Sequence, residues 1–270
     1  MADALIKNSQ TAAAVPVLEE ALRRLETEIQ KFSDPISGQE MKLLGFDVKS
    51  TVAPVASAIF LATYREQLTD AYLTTNRLAD AKSRALSWIE PEEKPDARLL
   101  KAALRISKAF INSSQFDNAK SLLLSLEQAA RRGVSLQSVP PLERLAMQAD
   151  VMQLAMYCEI AGQYLELGDM DNAARLLREC VTEYTRLEQR GRFIMPTQVK
   201  QAKYYLGRVL LEQSKYDEAE SLLLASLLSE EEFSDGADST AHKAAVSALV
   251  KLYATTGRPE LAEQWREKLK

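Results

Sequence analysis

Large apolar residues recur along this chain at i, i+3, i+4 and i+7, the spacing that gathers a stripe on one face of a helix. Five segments carrying that pattern align without gaps about a central alanine: Ala81, Ala119, Ala173, Ala219 and Ala262. Nine residues before each alanine stands a large apolar side chain: Tyr72, Phe110, Tyr164, Leu210 and Tyr253. Three before it stand Leu78, Phe116, Met170, Tyr216 and Pro259, and four after it Ala85, Leu123, Leu177, Leu223 and Arg266. Each segment therefore predicts two amphipathic helices joined by a short turn.

Local chemistry agrees with that division. Gly168 and Gly257 fall where the first helix should end, and glycine enters the left-handed conformation cheaply. Asp80, Asp117, Asp169 and Asp217 fall near the start of the second helix, where a carboxylate suits the positive end of the dipole. The anchoring residue is small because the two helices are expected to cross closely there. A larger side chain would overpack the crossing by roughly 1–3 kcal/mol.

The clearest copy, Tyr157 to Cys180, carries Tyr157, Ile160, Ala161, Tyr164, Ala173, Leu177 and Cys180. The next carries Leu206, Gly207, Leu210, Ala219, Leu223 and Ser226. These follow the pattern W-x2-L-G-x2-Y, then A-x3-F-x2-A, and the chain so resembles the tetratricopeptide repeat family over residues 58–270. The copy around Ala81 departs at Ala85 and Trp88, and the last copy at Arg266. The anchors are 38, 54, 46 and 43 residues apart, longer than the family's period of about 34. The excess lies between units, as GVSLQSVPPL near 133–142, GRFIMP near 191–196 and EEEFSDGADST near 230–240. Such extended repeats look like those of kinesin light chains and of many bacterial regulatory proteins. The resemblance implies an all-α, right-handed superhelical α-solenoid of about five helix–turn–helix units.

Residues 1–57 match no copy and are expected to form an N-terminal helical cap and loop ahead of the array at 58–270. Val15, Leu18, Leu22, Leu25 and Ile29 share one face of a helix predicted over Val15–Phe32. A loop-rich stretch follows, FSDPISGQEMKLLGFD, and a helix restarts near Ser50 or Thr51 with Pro54 in its first turn. Repeat arrays need atypical ends to cover their core, so residues 11–50 read as a cap, with an independent docking segment as the rival. The last unit has no capping helix after it. Arg266 and Lys268 can make that end soluble by themselves, or the unit packs on a second copy or on a partner, the former giving a homo-oligomer through the uncapped C-terminal unit.

Composition narrows function by exclusion. Hydrophobic residues make up 46% and charged residues 27%, with only 9 Gly and 9 Pro, a helix-rich globular balance. The net charge of −4 lacks the basic excess of a nucleic-acid binder. No apolar run approaches about 18 residues, so no membrane span is expected. The first residues do not read as a signal peptide, and a cytoplasmic location is expected. Cys158 and Cys180 read as small buried packers.

Catalytic chemistry finds no foothold. His242 is the single histidine. One histidine cannot build a metal cluster, and a Cys–His pair would have to join different units. There is no glycine-rich phosphate loop, no G-x-S-x-G and no H-E-x-x-H. Glu230, Glu231 and Glu232 read as solvated surface between units. Neither an enzymatic activity nor a cofactor is expected.

What remains is surface. In the family the chain resembles, the first helix of each unit lines a concave groove that can hold a peptide. Carried over, its positions fall on Lys101, Leu104, Arg105, Lys108 and Asn112 of the second unit. They fall on Glu159 and Glu166 of the third, Gln201, Tyr204, Tyr205, Arg208 and Glu212 of the fourth, and Ser247 and Lys251 of the fifth. Lys101, Arg105, Lys108 and Asn112 share one helical face. The expected peptide-binding set is Lys101, Arg105, Lys108, Asn112, Tyr204, Tyr205, Arg208 and Lys251. The cations and the asparagine would hold a peptide's backbone and acidic groups, and the tyrosines would add apolar area with polar tips. The alternative for the same residues is a solvated helix face with i,i+4 charge pairing. The first unit has Glu66 and Asp70 at the positions where chaperone-tail-binding members carry a basic clamp, so carboxylate-terminal binding of that kind is not expected. The partner is therefore a protein or peptide, with the chain acting as an adaptor or, alternatively, as a regulatory or self-assembly module.

Overall fold

The computed structural model describes residues 11–33, 41–43, 46–48, 53–139, 148–192, 194–227 and 236–269. The chain divides into two compact units, Met1–Gln153 and Leu154–Lys270. The first holds α1 (Thr11–Ser33), β1 (Met41–Leu43), β2 (Phe46–Val48), α2 (Ala53–Thr74), α3 (Leu78–Ile89), α4 (Ala97–Asn112) and α5 (Phe116–Arg131). The division falls inside α6 (Ala149–Glu166), and the second unit continues with α7 (Met170–Gln189), α8 (Pro196–Glu212), α9 (Tyr216–Ala225), α10 (Gly236–Thr255) and α11 (Pro259–Glu267).

The five expected helix pairs are α2–α3, α4–α5, α6–α7, α8–α9 and α10–α11, and one hydrogen-bond pattern repeats at all five turns. The residue five before each anchor takes positive φ: Asn76 at 55°, Ser114 at 57°, Gly168 at 73°, Ser214 at 60° and Gly257 at 70°. The next N–H then donates to the carbonyl of the apolar residue nine before the anchor: Arg77 to Tyr72, Gln115 to Phe110, Asp169 to Tyr164, Lys215 to Leu210 and Arg258 to Tyr253, at 2.8–2.9 Å. That closure satisfies carbonyls that a helix end would otherwise leave orphaned. Two of the five turns announce themselves with glycine; the other three place an asparagine or a serine in a conformation that disfavours side chains. Ser214→Gly should therefore stabilise the protein by about 0.5–1 kcal/mol, read as a higher melting temperature.

The anchors are buried throughout: Ala81, Ala119, Ala173, Ala219 and Ala262 are at most 3% exposed. So are Tyr72, Phe110, Tyr164, Leu210 and Tyr253. Twelve residues before four of the five anchors stand Thr69, Ser107, Ala161 and Gly207, small side chains on the first helix at the crossing, and before the last stands Val250. A Cβ at Gly207 would lie 2.8 Å from Leu223 Cγ, which shows how closely α8 and α9 approach.

One apolar expectation is corrected. At four of the five units the position three before the anchor is not core: Phe116 is 54% exposed, Met170 and Tyr216 are half-buried and Pro259 is exposed, whereas Leu78 is buried. Each of these residues is the first of its helix. The two cysteines are buried and unpaired, as expected of packers. A hydrogen bond with the neighbouring Cys158 thiol, together with burial, pushes the Cys180 thiol up, so it stays protonated.

In the first compact unit the segment after α5 folds back on the start of α4. Ala97 N–H donates to Ser135 O at 2.9 Å and Ser135 N–H to Pro95 O at 3.0 Å. Asp96 caps α4 by accepting from Arg98 N–H at 2.9 Å, and it also accepts from Ser138 N–H at 3.1 Å and from the Ser138 hydroxyl. The described part of the extra sequence between units is thus a pinned connection. Asp96→Ala removes a cap and strands buried donors. A loss of about 2 kcal/mol is expected in chemical denaturation.

The N-terminal helix begins at Thr11, four residues before the expected start. Leu25 and Ile29 pack with Leu61 and Tyr64 of α2, and Arg65 pairs with Glu26 at 2.9 Å. The stretch read as loop-rich contains a short antiparallel hairpin, with Met41 opposite Val48 and Leu43 opposite Phe46. The expected restart at Ser50 or Thr51, the Glu230–Glu232 run and part of each inter-unit insertion lie outside the described residues.

Candidate functional groove

The side chains expected to face a groove divide by compact unit. In the first, Lys101, Arg105 and Asn112 are exposed on α4 and Lys108 is half-buried, while Leu104 turns into the core at 3% exposure. Leu104 lies beside this cationic face and not on it. Neighbouring first helices are tied by ion pairs. Arg98 donates to both oxygens of Glu66, through Nε at 2.9 Å and through Nη2, and also to Thr63 at 3.3 Å. Arg105 donates to Asp70. Glu66 and Asp70, the carboxylates at the clamp positions, are thus partners of arginines one unit further on. Arg105 holds α4 to α2 and is not an unengaged cation.

In the second compact unit, α6, α8 and α10 supply the first helices. Tyr205 lies over Gly162 of α6, where an added Cβ would come within 3.4 Å of its ring. It serves as packing between α6 and α8. Tyr204 turns the other way: its ring is 5.3 Å from that of Tyr205, tilted by 41°, and Arg208 stacks over it at 5.7 Å. Burial pushes the Tyr204 hydroxyl up, so it remains a neutral donor.

Between α8 and α10 lies a cleft of about 350 Å³ lined by Tyr204, Arg208, Leu211 and Glu212 of α8 and by Ala244, Ser247, Ala248 and Lys251 of α10. Lys251 donates to Glu212 across it at 2.5 Å. The cleft therefore offers an aromatic ring, a stacked guanidinium, an ammonium and a hydroxyl along its lining. The alanines on α10 leave the space open. Its two cations and one carboxylate leave a net positive charge. Of the expected set, this site brings together Tyr204, Arg208 and Lys251; it does not include Tyr205. Sequence reading missed Glu212–Lys251 and Asp70–Arg105 as pairs, since the partners are 39 and 35 residues apart. The available signal was opposite charge at neighbouring groove positions of successive units.

His242 at the start of α10 is half-buried, and burial with the nearby Lys268 and Lys200 holds its pKa below the usual value. Among the described residues no group of three or more His, Cys, Asp or Glu side chains is placed to hold a metal ion. Among them, too, no helix is long and apolar enough to cross a membrane.

No family model matches this chain, and no curated protein matches it. Solved structures do. The crystal structure of BtubC (BKLC) from P. vanneervenii aligns with a TM-score of 0.55 and 15% identity, covering 93% of this chain and 89% of that one. Two Podosopora anserina structures of nearly identical TPR-like repeats of kinesin light chain type align over 83% of this chain and 89% of theirs, with TM-scores of 0.43 and 0.44 and identities of 16% and 17%. With five helix pairs sharing one turn and one anchor, the fold is an all-α solenoid of tetratricopeptide type.

Proposed function

We propose that this chain is a non-catalytic, cytoplasmic scaffold or adaptor that binds a peptide or protein segment in the groove formed by its first helices. The observation that carries this reading is the α8–α10 cleft, which places Tyr204, Arg208, Ser247 and Lys251 along one open channel. Its volume accepts one or two side chains, which matches an extended peptide whose neighbours are read by further helices. Arg208 and Lys251 select a carboxylate, and Tyr204 provides apolar area with a hydroxyl tip. In the first compact unit, Lys101, Lys108 and Asn112 present the corresponding face of α4. The same side chains would otherwise be a solvated face with internal ion pairs, and the cleft is what favours binding.

Selection of random displayed peptides on the full chain tests this. Enriched sequences carrying an Asp or Glu are the expected result. Tyr204→Ala should then weaken the selected peptide about tenfold, by about 1.4 kcal/mol, in a titration. No enrichment, or binding indifferent to Tyr204→Ala, would remove the cleft from consideration. A self-assembly role, the second reading, is favoured by a separate feature of α11.

A further inference from the structure

Two junctions in the fold share one three-residue device. Between α9 and α10, Glu220 accepts from the Tyr253 hydroxyl at 2.9 Å and from Arg258 at 2.8 Å, while Arg258 stacks over the Tyr253 ring at 4.7 Å. Between α1 and α2, Glu19 accepts from the Tyr72 hydroxyl and lies 3.9 Å from Arg77, which stacks over the Tyr72 ring at 5.1 Å and donates at 2.6 Å to Asp80 of its own unit. Tyr72 and Tyr253 both stand nine residues before their anchors, and Arg77 and Arg258 four before. Glu220 directly follows the anchor Ala219. Glu19 directly follows Leu18, which is fully buried, and Leu22 four residues on is buried as Leu223 is. α1 thus packs on α2 in the register of a unit's second helix.

The device is selective within the chain. The other units carry Phe110 with Gln115, Tyr164 with Asp169 and Leu210 with Lys215 at the tyrosine and arginine positions. The residues following their preceding anchors are Lys82, Lys120 and Ala174. A glutamate follows an anchor at one further place: Glu263 after Ala262 on α11. Glu263 is paired with Arg266 one turn along its own helix, with both side chains about half exposed. Leu261, Trp265 and Leu269 lie beside it at helical spacing and are only partly buried, with Lys268 over the Trp265 ring at 4.1 Å. Among the described residues, α10 is the helix packed against α11.

We propose that α11 of one copy docks on α2 of a second copy in the place held there by α1, with Glu263 accepting from Tyr72 and Arg77 of that second copy. The occupant is fixed by charge and register: of the two tyrosine–arginine pairs at these repeat positions, Tyr253–Arg258 is met by Glu220, and Tyr72–Arg77 is met by Glu19 of α1. α1 competes as part of the same chain, at an effective concentration of order millimolar, so it acts as a built-in inhibitor of head-to-tail assembly. This proposal rests on the junction geometry and is independent of the groove.

Sedimentation velocity of the full chain over the micromolar range tests it. Wild type should stay mainly one chain. Glu19→Arg sets a guanidinium against Arg77, releases α1, and should raise the weight-average mass to two or more chains as concentration rises. Adding Glu263→Arg to that variant should return it to one chain, and a synthetic peptide of residues 11–33 should do the same. Glu19→Gln, which keeps the shape of the side chain, should give the same order of effects at smaller amplitude if the arginine variant loses its helicity. If both Glu19 variants remain one chain, or if their association persists with Glu263→Arg, the proposal is wrong.

Discussion

Ala173→Trp is expected to unfold the second compact unit at a much lower temperature than wild type. Ala173 is fully buried where α6 and α7 cross, with Ala161, Tyr164, Leu177 and Cys180 all buried around the same hairpin. An indole has no vacant volume to enter, so the helices must separate or distort. Overpacking costs about 1–3 kcal/mol for added methylenes and more for a ring, so about 3 kcal/mol or more is expected here. In a unit of this size that corresponds to a fall in melting temperature of roughly 10 °C or more. Phe116→Ala is the matched control. Phe116 is apolar in the same repeat alignment, yet it is 54% exposed at the first residue of α5. Its loss should change stability by about 0.5 kcal/mol or less. Two equal shifts would show that the repeat register is misplaced.

The second large effect belongs to binding. Arg208→Glu with Lys251→Glu reverses both cations of the α8–α10 cleft, and Glu212 remains. Against a carboxylate-bearing peptide, each reversal removes a charge-assisted hydrogen bond and adds repulsion. A combined loss of about 3 kcal/mol, near a hundredfold in Kd, is expected. Lys251–Glu212 is an exposed pair with both side chains about half accessible. Such pairs contribute little to stability, so the melting temperature should move by only a few degrees. Loss of helicity alongside loss of affinity would mean that the two cations act through the fold rather than on the peptide.

Much of the fold was legible because the physics of the unit is local. An alanine at the crossing, a large apolar residue nine before it and a turn between them fix two helices without reference to the rest of the chain. Three of the five left-handed turn residues were not legible. Asn76, Ser114 and Ser214 take the conformation because buried helices on both sides impose it. The family signature is diluted in the same spirit. Tyr157 stands at the tryptophan position of the clearest copy and Leu177 and Leu223 at the phenylalanine position, preserving size and apolarity while changing identity, whereas the next copy has Lys203 at the tryptophan position.

The expected binding set was legible only as a set of helix faces. Helical spacing put Lys101, Arg105, Lys108 and Asn112 on one side of α4, and it put Tyr204 and Arg208 on one side of α8. It could not tell which tyrosine of the adjacent pair packs inward. That depends on Gly162, which leaves room for the Tyr205 ring on a helix 43 residues upstream. Nor could it show that Arg105 is spent on Asp70. Both facts come from pairing between units, and periodicity within a unit does not encode it.

The most direct test of the groove assignment is hydrogen–deuterium exchange of the full chain with and without a selected peptide at saturation. Slower exchange concentrated on α8 and α10, with α9 and α11 unchanged, is the expected result. Protection confined to α9 and α11, with α8 and α10 unaffected, would contradict the assignment and place binding on the opposite face of the repeats.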